Sequence, residues 1–450
     1  MRIEMPKGAR FIIGRILQEG YDAYLVGGSI RDVLLGRNPN DYDIATSATP
    51  ESIMGMFEKT VPIGIKHGTV EVVTDDGCFD VTTFRSEEGY INKRYPENVR
   101  FIEDLIEDLR RRDITINALA YNDEKGLIDP FGGFDDLNHR LIRAVGHPVE
   151  RFKEDALRIL RAVRLATTLD FNIEESTLLG IIEEMDGLVY ISVERIREEI
   201  SNILMSENPG RGMRMLFELG LIKYVLPELL PLASFNQFNR YHDKDVLGHT
   251  LEVLDRCPRN LPVRLAALFH DSGKPRCFTI DKDGVGHFYG HEKESASIAR
   301  EVLQRLKYDN RTIHLVDKLI SLHMVPSEMK NEVKLKKFVI RIGIENIPLF
   351  LGLKRADHGG KPDVGGIHAT KLNDFERRLN EILQRNDPLE LKDLAVNGDD
   401  LKSIGIRNGR LIGKILGILL ETVLETPGLN TKERLLEIAA KEAENDNRGN

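Results

Sequence analysis

The chain has 450 residues, 41% hydrophobic and 30% charged, with a formal net charge of −9. Such length and composition belong to an ordinary globular chain of about three domains, each large enough for a real core. The acidic balance excludes a generally basic nucleic-acid coat, though not a local basic surface for phosphate contact.

Residues 6–20 predict a helix with Phe11, Ile12, Ile16 and Leu17 facing inward. Residues 23–26 form a short apolar run that reads as a buried strand, ended by Gly27-Gly28. Ser29 stands where the next helix would start, and its hydroxyl suits an N-cap. Ile30, Val33 and Leu34 follow at helical spacing, and Gly36 ends the run. After a turn over residues 37–40 the chain re-enters a strand as Asp41-Tyr42-Asp43-Ile44, so the two carboxylates share a face. Carboxylates so placed repel unless a cation lies between them, and magnesium, bound by few carboxylates plus substrate phosphates, suits. A double-glycine turn lets backbone amides approach a phosphate. Together these features point to phosphoryl or nucleotidyl transfer by a metal clamp. The plainer alternative is a surface DxD beside a tight bend.

The stretch LVGGSIRDVLLGRNPNDYDIAT, residues 25–46, resembles the signature of polymerase-β-type nucleotidyltransferases, a GG or GS turn followed by DxD. More narrowly it resembles the class II tRNA nucleotidyltransferase and poly(A) polymerase family, template-free enzymes that extend RNA 3′ ends. The resemblance implies Gly27, Gly28, Ser29 and Arg31 at the nucleotide, and Asp41 and Asp43 on the catalytic metals.

Thr49 caps, and Pro50 opens, a helix to about Lys59 carrying Ile53, Met54 and Phe57. Residues 68–73 and 78–84 read as strands around the turn Asp75-Asp76-Gly77. Asp80 lies in the second of these, and the resemblance makes it the third catalytic carboxylate; Arg85 ends the strand, where it could meet a triphosphate. Residues 86–103 are polar without periodicity and read as a mobile loop. Leu105, Ile106 and Leu109 mark a helix before RRDITINAL, in which a buried Asn117 would need partners. By resemblance Arg112, Asp113 and Asn117 contact the ribose and phosphates of the incoming nucleotide, with Ile114 where the family usually has Phe. DPFGGFDDL, residues 129–137, matches a family element taken as structural, with Asp135 or Asp136 as the next cap.

Residues 151–166, RFKEDALRILRAVRLA, read as one helix with Phe152, Leu157, Leu160 and Leu165 on its apolar side. Glu154, Asp155, Arg158, Arg161 and Arg164 line the rest, a pattern equally suited to a salt-bridged surface helix. By resemblance EDxxR selects the nucleotide, with Asp155 and Arg158 bonding the base edge of CTP or ATP and Arg161 and Arg164 nearby. Residues 192–203 read as a capped helix that resembles the motif packing behind EDxxR.

The polar and aromatic residues 234–245 suggest a domain boundary. His249, the pair His270-Asp271 followed by Gly273-Lys274, His291, His323 and Asp357 then resemble the HD phosphohydrolase superfamily, with Ser272 where an apolar residue is commoner. Ligands of this kind suit a divalent transition metal. His249, His270, Asp271 and Asp357 are expected to hold one ion, and His291 and His323 a second. Residues 394–440 look like the family's tail, where Lys402, Arg407, Arg410 and Lys414 could meet tRNA, and residues 441–450 are expected to fray.

No apolar run approaches the ~18 residues of a membrane helix, the first residues carry no signal-peptide pattern, and Cys78, Cys257 and Cys277 form no disulfide framework. A cytoplasmic setting is expected. The fold expected is α+β: a mixed-sheet polymerase-β-like head (1–140), an all-α neck (141–232), an HD-type body (233–365) and a helical tail (366–450). The function the resemblance implies is addition of C and A, from CTP and ATP with magnesium, to tRNA 3′ ends. The alternatives are an A-adding or CC-adding enzyme, a poly(A) polymerase, or a metal-dependent phosphohydrolase with an RNA-binding head.

Overall fold

The computed structural model describes residues 3–91, 95–233, 235, 245–360, 367–385 and 387–449. The chain divides into two compact units, 1–230 with 305–308, and 231–304 with 309–450. Part of the boundary segment 234–245 lies outside the described residues.

The first unit is built on a seven-stranded mixed sheet. Its strands in chain order are β1 (Ala23–Val26), β2 (Asp43–Thr46), β3 (Thr60–Gly64), β4 (Thr69–Thr74) and β5 (Gly77–Thr83). After a separate hairpin, β6 (Arg85–Ile91) with β7 (Tyr95–Phe101), come β8 (Ala120–Asn122) and β9 (Gly126–Ile128). The spatial order is β3-β4-β5-β2-β1-β8-β9, parallel only between β2 and β5. Strand β1 shows why it is central: Ala23 and Leu25 pack into one core cluster, Tyr24 and Val26 into another on the opposite face. The first cluster is closed by α1 (Lys7–Gln18) and α3 (Pro50–Met56), the second by α4 (Leu105–Arg110). Between them α2 (Gly28–Leu34) links β1 to β2, and α5 (Gly133–Asn138) follows β9.

Several expectations need correction here. Phe11 is exposed and rests edge-on against Phe57, while Gly8, Ala9 and Ile13 join Ile12 and Ile16 inside. Ser29 is not a side-chain cap: Gly27 holds the N-cap position, and the Ser29 hydroxyl donates to Val26 O at 3.2 Å. Asp41 precedes β2, which begins at Asp43, because residues 40–42 find no ladder partner, Asn40 and Asp41 being exposed and Tyr42 half-buried against the core. The segment read as a loop, 86–103, holds the β6–β7 hairpin, paired from Arg85↔Phe101 to Ile91↔Tyr95. Its backbone ladder needs no apolar alternation, since this two-stranded sheet stands apart from the seven-stranded one. Asp129, not Asp135 or Asp136, accepts the first amides of α5, from Gly133 and Phe134 at 2.8 Å each. Thr49 does cap α3, accepting from Ser52 N, a contribution of about 1 kcal/mol.

Beyond the sheet the unit is helical: α6 (Pro148–Glu154), α7 (Leu157–Leu169), α8 (Glu175–Glu184), α9 (Val193–Leu204), α10 (Pro209–Glu218) and α11 (Ile222–Val225). The single helix expected over 151–166 is thus two. Asp155 has extended backbone (φ −142°, ψ 104°), and its side chain accepts from Leu157 N at 3.0 Å. This local bond competes with the helical ladder and starts a new helix. Asp155 and Arg158 therefore do not share one continuous helix face. Ser192 sits at the N-cap position of α9 but makes no side-chain cap bond.

The second unit is helical: α12 (Val246–Arg256), α13 (Leu261–Phe269), α14 (His291–Arg305), α15 (Asn310–Leu322), α16 (Glu332–Ile342) and α17 (Ile347–Gly359). Then come α18 (Ile367–Gln384), α19 (Gly398–Ser403), α20 (Gly409–Glu425) and α21 (Lys432–Gly449). The last three have their own apolar cluster, including Leu401, Ile415, Leu419, Val423 and Leu435. The terminal residues expected to fray continue α21 through Gly449.

Candidate functional site

The first site lies where β1 and β2 meet α2. Register puts Val26 opposite Asp43, and Ile44 beside Val81, so Asp43 and Asp80 are neighbours across parallel strands. Burial raises the Asp43 carboxyl above its usual range, the nearby Asp41 and Asp80 charges raise it further, and Arg112 opposes them. The three expected carboxylates therefore share one electrostatic centre, which a cation would relieve. Gly27, at φ +79°, is where the chain leaves β1; a Cβ here would lie 3.0 Å from Arg112 Nη1 and 3.7 Å from Asp43 Oδ2. A side chain would fill the space between that guanidinium and that carboxylate. The Gly27 amide itself donates to Leu119 O, so it is not among the donors left for a ligand.

Around this centre is a web of buried polar groups. Arg31 Nη1 donates to Asn117 Oδ1 at 2.7 Å and Arg112 Nη1 to Asn117 O at 3.4 Å, so Asn117 has the partners its burial demands. Arg112 Nε is buried without a hydrogen-bond partner, an orphan cationic donor beside the glycine turn. Burial would raise the Asp113 carboxyl, but Arg161, bonded to it through Nε at 2.6 Å, outweighs burial with help from Arg158 and holds it well below the usual range. Arg164 Nε donates to Glu199 of α9 at 2.6 Å. Arg195 of α9 reaches Asp155, with Nη2 2.6 Å from Oδ2. Arg158 is buried, with Nη2 on Arg111 O at 3.0 Å and Nη1 on Arg151 O and Glu154. Arg85 Nε and Nη1 are taken up by Glu87 and by His67 O.

Sequence reasoning left out Glu199, Arg195, Asp108 and Glu87. Asp108 is buried and binds Arg111 Nη2 at 2.8 Å, and Glu87 bridges Arg85 and Arg111. The i,i+3 spacing of Asp108 and Arg111 was a readable signal; the cross-element partners had none.

The second site is in the second unit, with all six expected residues buried. His249 Nε2 is 3.0 Å from Asp357 Oδ1 and 3.8 Å from Asp271 Oδ2; His270 Nε2 is 3.3 Å from Asp271 Oδ2. His291 Nε2 and His323 Nε2 lie 3.4 and 3.9 Å from Asp271 Oδ1, and 3.3 Å from each other. The ligand atoms fall into two groups, His249-His270-Asp271 and Asp271-His291-His323; Asp271, expected with the first ion alone, belongs to both, and Asp357 stands beside the first through His249. The Nδ1 atoms of His270, His291 and His323 face the carbonyls of Ala267, Phe288 and Ile320 at 2.7–2.8 Å. Pairing of Nδ1 with a carbonyl turns Nε2, and its lone pair, toward the centre, the arrangement metal-binding histidines need. Burial pushes His323 down to about 3, keeping it neutral. His270 Nε2 is buried without a hydrogen-bond partner. The donor set fits a divalent metal centre, and Lys274 Nζ, 2.8 Å from Asp271 Oδ2, braces the shared carboxylate.

A nucleotidyltransferase of the poly(A) polymerase type is the class this sheet, turn and carboxylate cluster define. Family models agree: the poly A polymerase head domain matches residues 23–143, the probable RNA and SrmB-binding site of polymerase A residues 170–232, and tRNA nucleotidyltransferase domain 2 residues 291–439. The chain is 34% identical over 440 residues to the CCA-adding enzyme of Ligilactobacillus salivarius, covering 97% of this chain and 96% of that one. It is 34% identical over 434 residues to the CCA-adding enzyme of a Geobacillus species, covering 95% and 94%. The crystal structure of the Bacillus stearothermophilus CCA-adding enzyme in complex with CTP superposes with a TM-score of 0.75 at 29% identity, over 99% of this chain and 100% of that chain. The chain belongs to the CCA-adding enzyme family of nucleotidyltransferases.

Proposed function

We propose that this chain adds C and A, taken from CTP and ATP, to the 3′ end of tRNA. The observation that carries the reading is the meeting of Asp43 and Asp80 with Gly27 and the Arg112 guanidinium at one end of the sheet. Family membership supports it, and a cytoplasmic setting goes with that substrate. Asp41, Asp43 and Asp80 would hold divalent metal, magnesium in this reading. Bound there, the metal would supply positive charge to the attacking and leaving oxygens at the α-phosphate.

The remaining roles belong to the protein itself. Bare Gly27 leaves room for the triphosphate, with Gly28 and Ser29 offering backbone amides and Arg112, whose Nη1 lies beside Gly27, offering its positive charge. Arg31 orients Asn117, and Arg161 keeps Asp113 ionised; Asn117 and Asp113, with Arg112, face the ribose and phosphates in this reading. Asp155 would accept from the exocyclic amine that C and A both present, and Arg158 would donate to the ring edge. Their anchors, Arg195 and Glu154, fix these two side chains before the base arrives. In the tail, the exposed Arg407 and Arg410 are available to tRNA. The test uses tRNA lacking its terminus with labelled CTP and ATP, singly and together. Incorporation of both in order supports the reading, whereas ATP alone or CTP alone would mean a partial-adding enzyme, and unlimited A a poly(A) polymerase.

A second reading concerns the second unit, and the convergent histidine Nε2 atoms favour it. His249, His270, Asp271 and Asp357, with His291 and His323 sharing Asp271, would hold one or two divalent ions of a phosphohydrolase. Such a centre would supply hydroxide near neutral pH for hydrolysis of a phosphate ester. Phosphates at an RNA end, 2′,3′-cyclic or 2′, suit the pairing, since their removal restores the hydroxyls that nucleotide addition needs. Hydrolysis of 2′,3′-cyclic AMP, assayed with magnesium, manganese, nickel and cobalt in turn, tests it.

A further inference from the structure

We infer that the pocket over the histidine cluster recognises a nucleobase, stacked on Tyr289, rather than a phosphate alone. The inference rests on the second reading above, that the cluster holds metal. The pocket has a volume of about 430 Å³, with Asp271, His291 and His323 on its lining together with His287, Phe288 and Tyr289. That is within the usual range for small-molecule sites, roughly 300–1,000 Å³.

The wall has a definite construction. A short ladder pairs Thr279 with His287 and Ile280 with Gly286. Beyond it Phe288 packs toward Phe278, 5.6 Å between ring centroids, with Lys274 Nζ 5.4 Å from its own ring. His287 and Tyr289, on either side of Phe288 in the chain, line the same pocket. There the His287 and Tyr289 rings stack, 5.2 Å between centroids and 8° between planes. His287 is held from behind, its Nε2 2.7 Å from Asp281 Oδ2. Tyr289 is 79% exposed. A large aromatic ring held open at a pocket wall, and braced by a second ring, has the form of a stacking surface for a base.

The spacing suits one nucleotide. Gly290, at φ +80°, turns the chain directly into α14, so a single residue separates Tyr289 from His291. Their Cα atoms are at most about 7 Å apart, and both side chains line the one pocket with Asp271 and His323. A nucleoside phosphate could thus lie with its base on Tyr289 and its phosphate at the cluster.

Titration calorimetry on the full chain tests this, using the non-hydrolysable methylenephosphonate analogue of adenosine 2′-phosphate and, for comparison, methylphosphonate. Any binding by the head is common to parent and variant and cancels. Tyr289→Ala should weaken the nucleoside analogue about tenfold or more, leave methylphosphonate unchanged, and be rescued by Tyr289→Phe. Equal affinity in parent and Tyr289→Ala, or equal weakening of both ligands, would overturn the inference. Elemental analysis of the same samples separates the two ideas. Bound metal with no effect of Tyr289→Ala sinks the base platform alone. A metal-free parent that stays metal-free when metal is offered sinks the metal reading and the platform with it.

Discussion

At the scale of single residues, Asp43 joins stability and chemistry in one group. Its carboxyl is raised by burial, Asp41 and Asp80, so between the ordinary carboxylate range and its folded value the native chain holds a proton the unfolded chain has released. Stability from this group therefore falls as pH rises through that window. Asp43→Asn should melt slightly higher than the parent at neutral pH without metal, and the difference should vanish in acid below the ordinary carboxylate range. Added magnesium should raise the parent's melting temperature and leave the variant's unchanged. The same variant should lose roughly a thousand-fold or more in nucleotide incorporation, about 4 kcal/mol of transition-state stabilisation. A variant that melts lower at neutral pH, or that incorporates normally at saturating magnesium, contradicts this account. Gly27→Ala offers a second test: at φ +79° and with its Cβ 3.0 Å from Arg112 Nη1, it should displace the guanidinium and raise the KM for ATP about tenfold. An unchanged KM would release Arg112 from the phosphate site.

At the scale of elements, much of the head was readable because its signals are local. The apolar run of β1, the glycine turn, the Thr49-Pro50 start of α3 and the Asp75-Asp76-Gly77 turn each carry their own chemistry. The unread pieces are those whose stability comes from elsewhere. Edge strand β3 contains Pro62 and is mostly exposed, so it shows no buried face. The β6–β7 hairpin forms a two-stranded sheet of its own, so no alternation is required of it. The break at Asp155 was hidden because its residues keep helical apolar spacing on both sides; only the side-chain bond to Leu157 N ends the first helix. That break gives the EDxxR pair different anchors, Asp155 on α9 through Arg195, Arg158 on the Arg111 and Arg151 carbonyls. Asp155→Ala should therefore raise UTP and GTP misincorporation relative to CTP and ATP more than it slows correct addition, because unpaired polar groups are what reject a wrong base. Arg195→Ala should show a milder form of the same change, since it leaves the carboxylate present but unheld. Selectivity ratios in single-turnover assays decide; if both variants keep parental ratios, the helix pair is a salt-bridged support and nothing more.

At the scale of the whole molecule, the two chemical centres fall in different compact units, the carboxylates in the first and the histidine cluster in the second. The order of the ligands was legible in the sequence, since His-Asp followed by Gly-Lys is a local pattern. The sharing of Asp271 between two ligand groups was not, because it depends on helices α12 to α17 converging over more than a hundred residues of chain. The division makes the activities separable. His270→Ala should strip bound metal, by elemental analysis, and abolish hydrolysis of 2′,3′-cyclic AMP. Nucleotide addition to tRNA should stay within about twofold of the parent, because no residue of that reaction lies in the second unit's cluster. His270 is fully enclosed, so its loss also leaves a cavity, and His291→Asn serves as the gentler control. Chelation gives the complementary measurement: removing metal from the parent should lower its melting temperature, since a ligand bound only to the native state stabilises it, and should lower that of His270→Ala by less, because only the carboxylate site of the first unit is left to lose metal. If chelation does not change the parent's stability and neither variant changes metal content, the buried histidines are packing residues, and only nucleotide addition remains as this chain's chemistry.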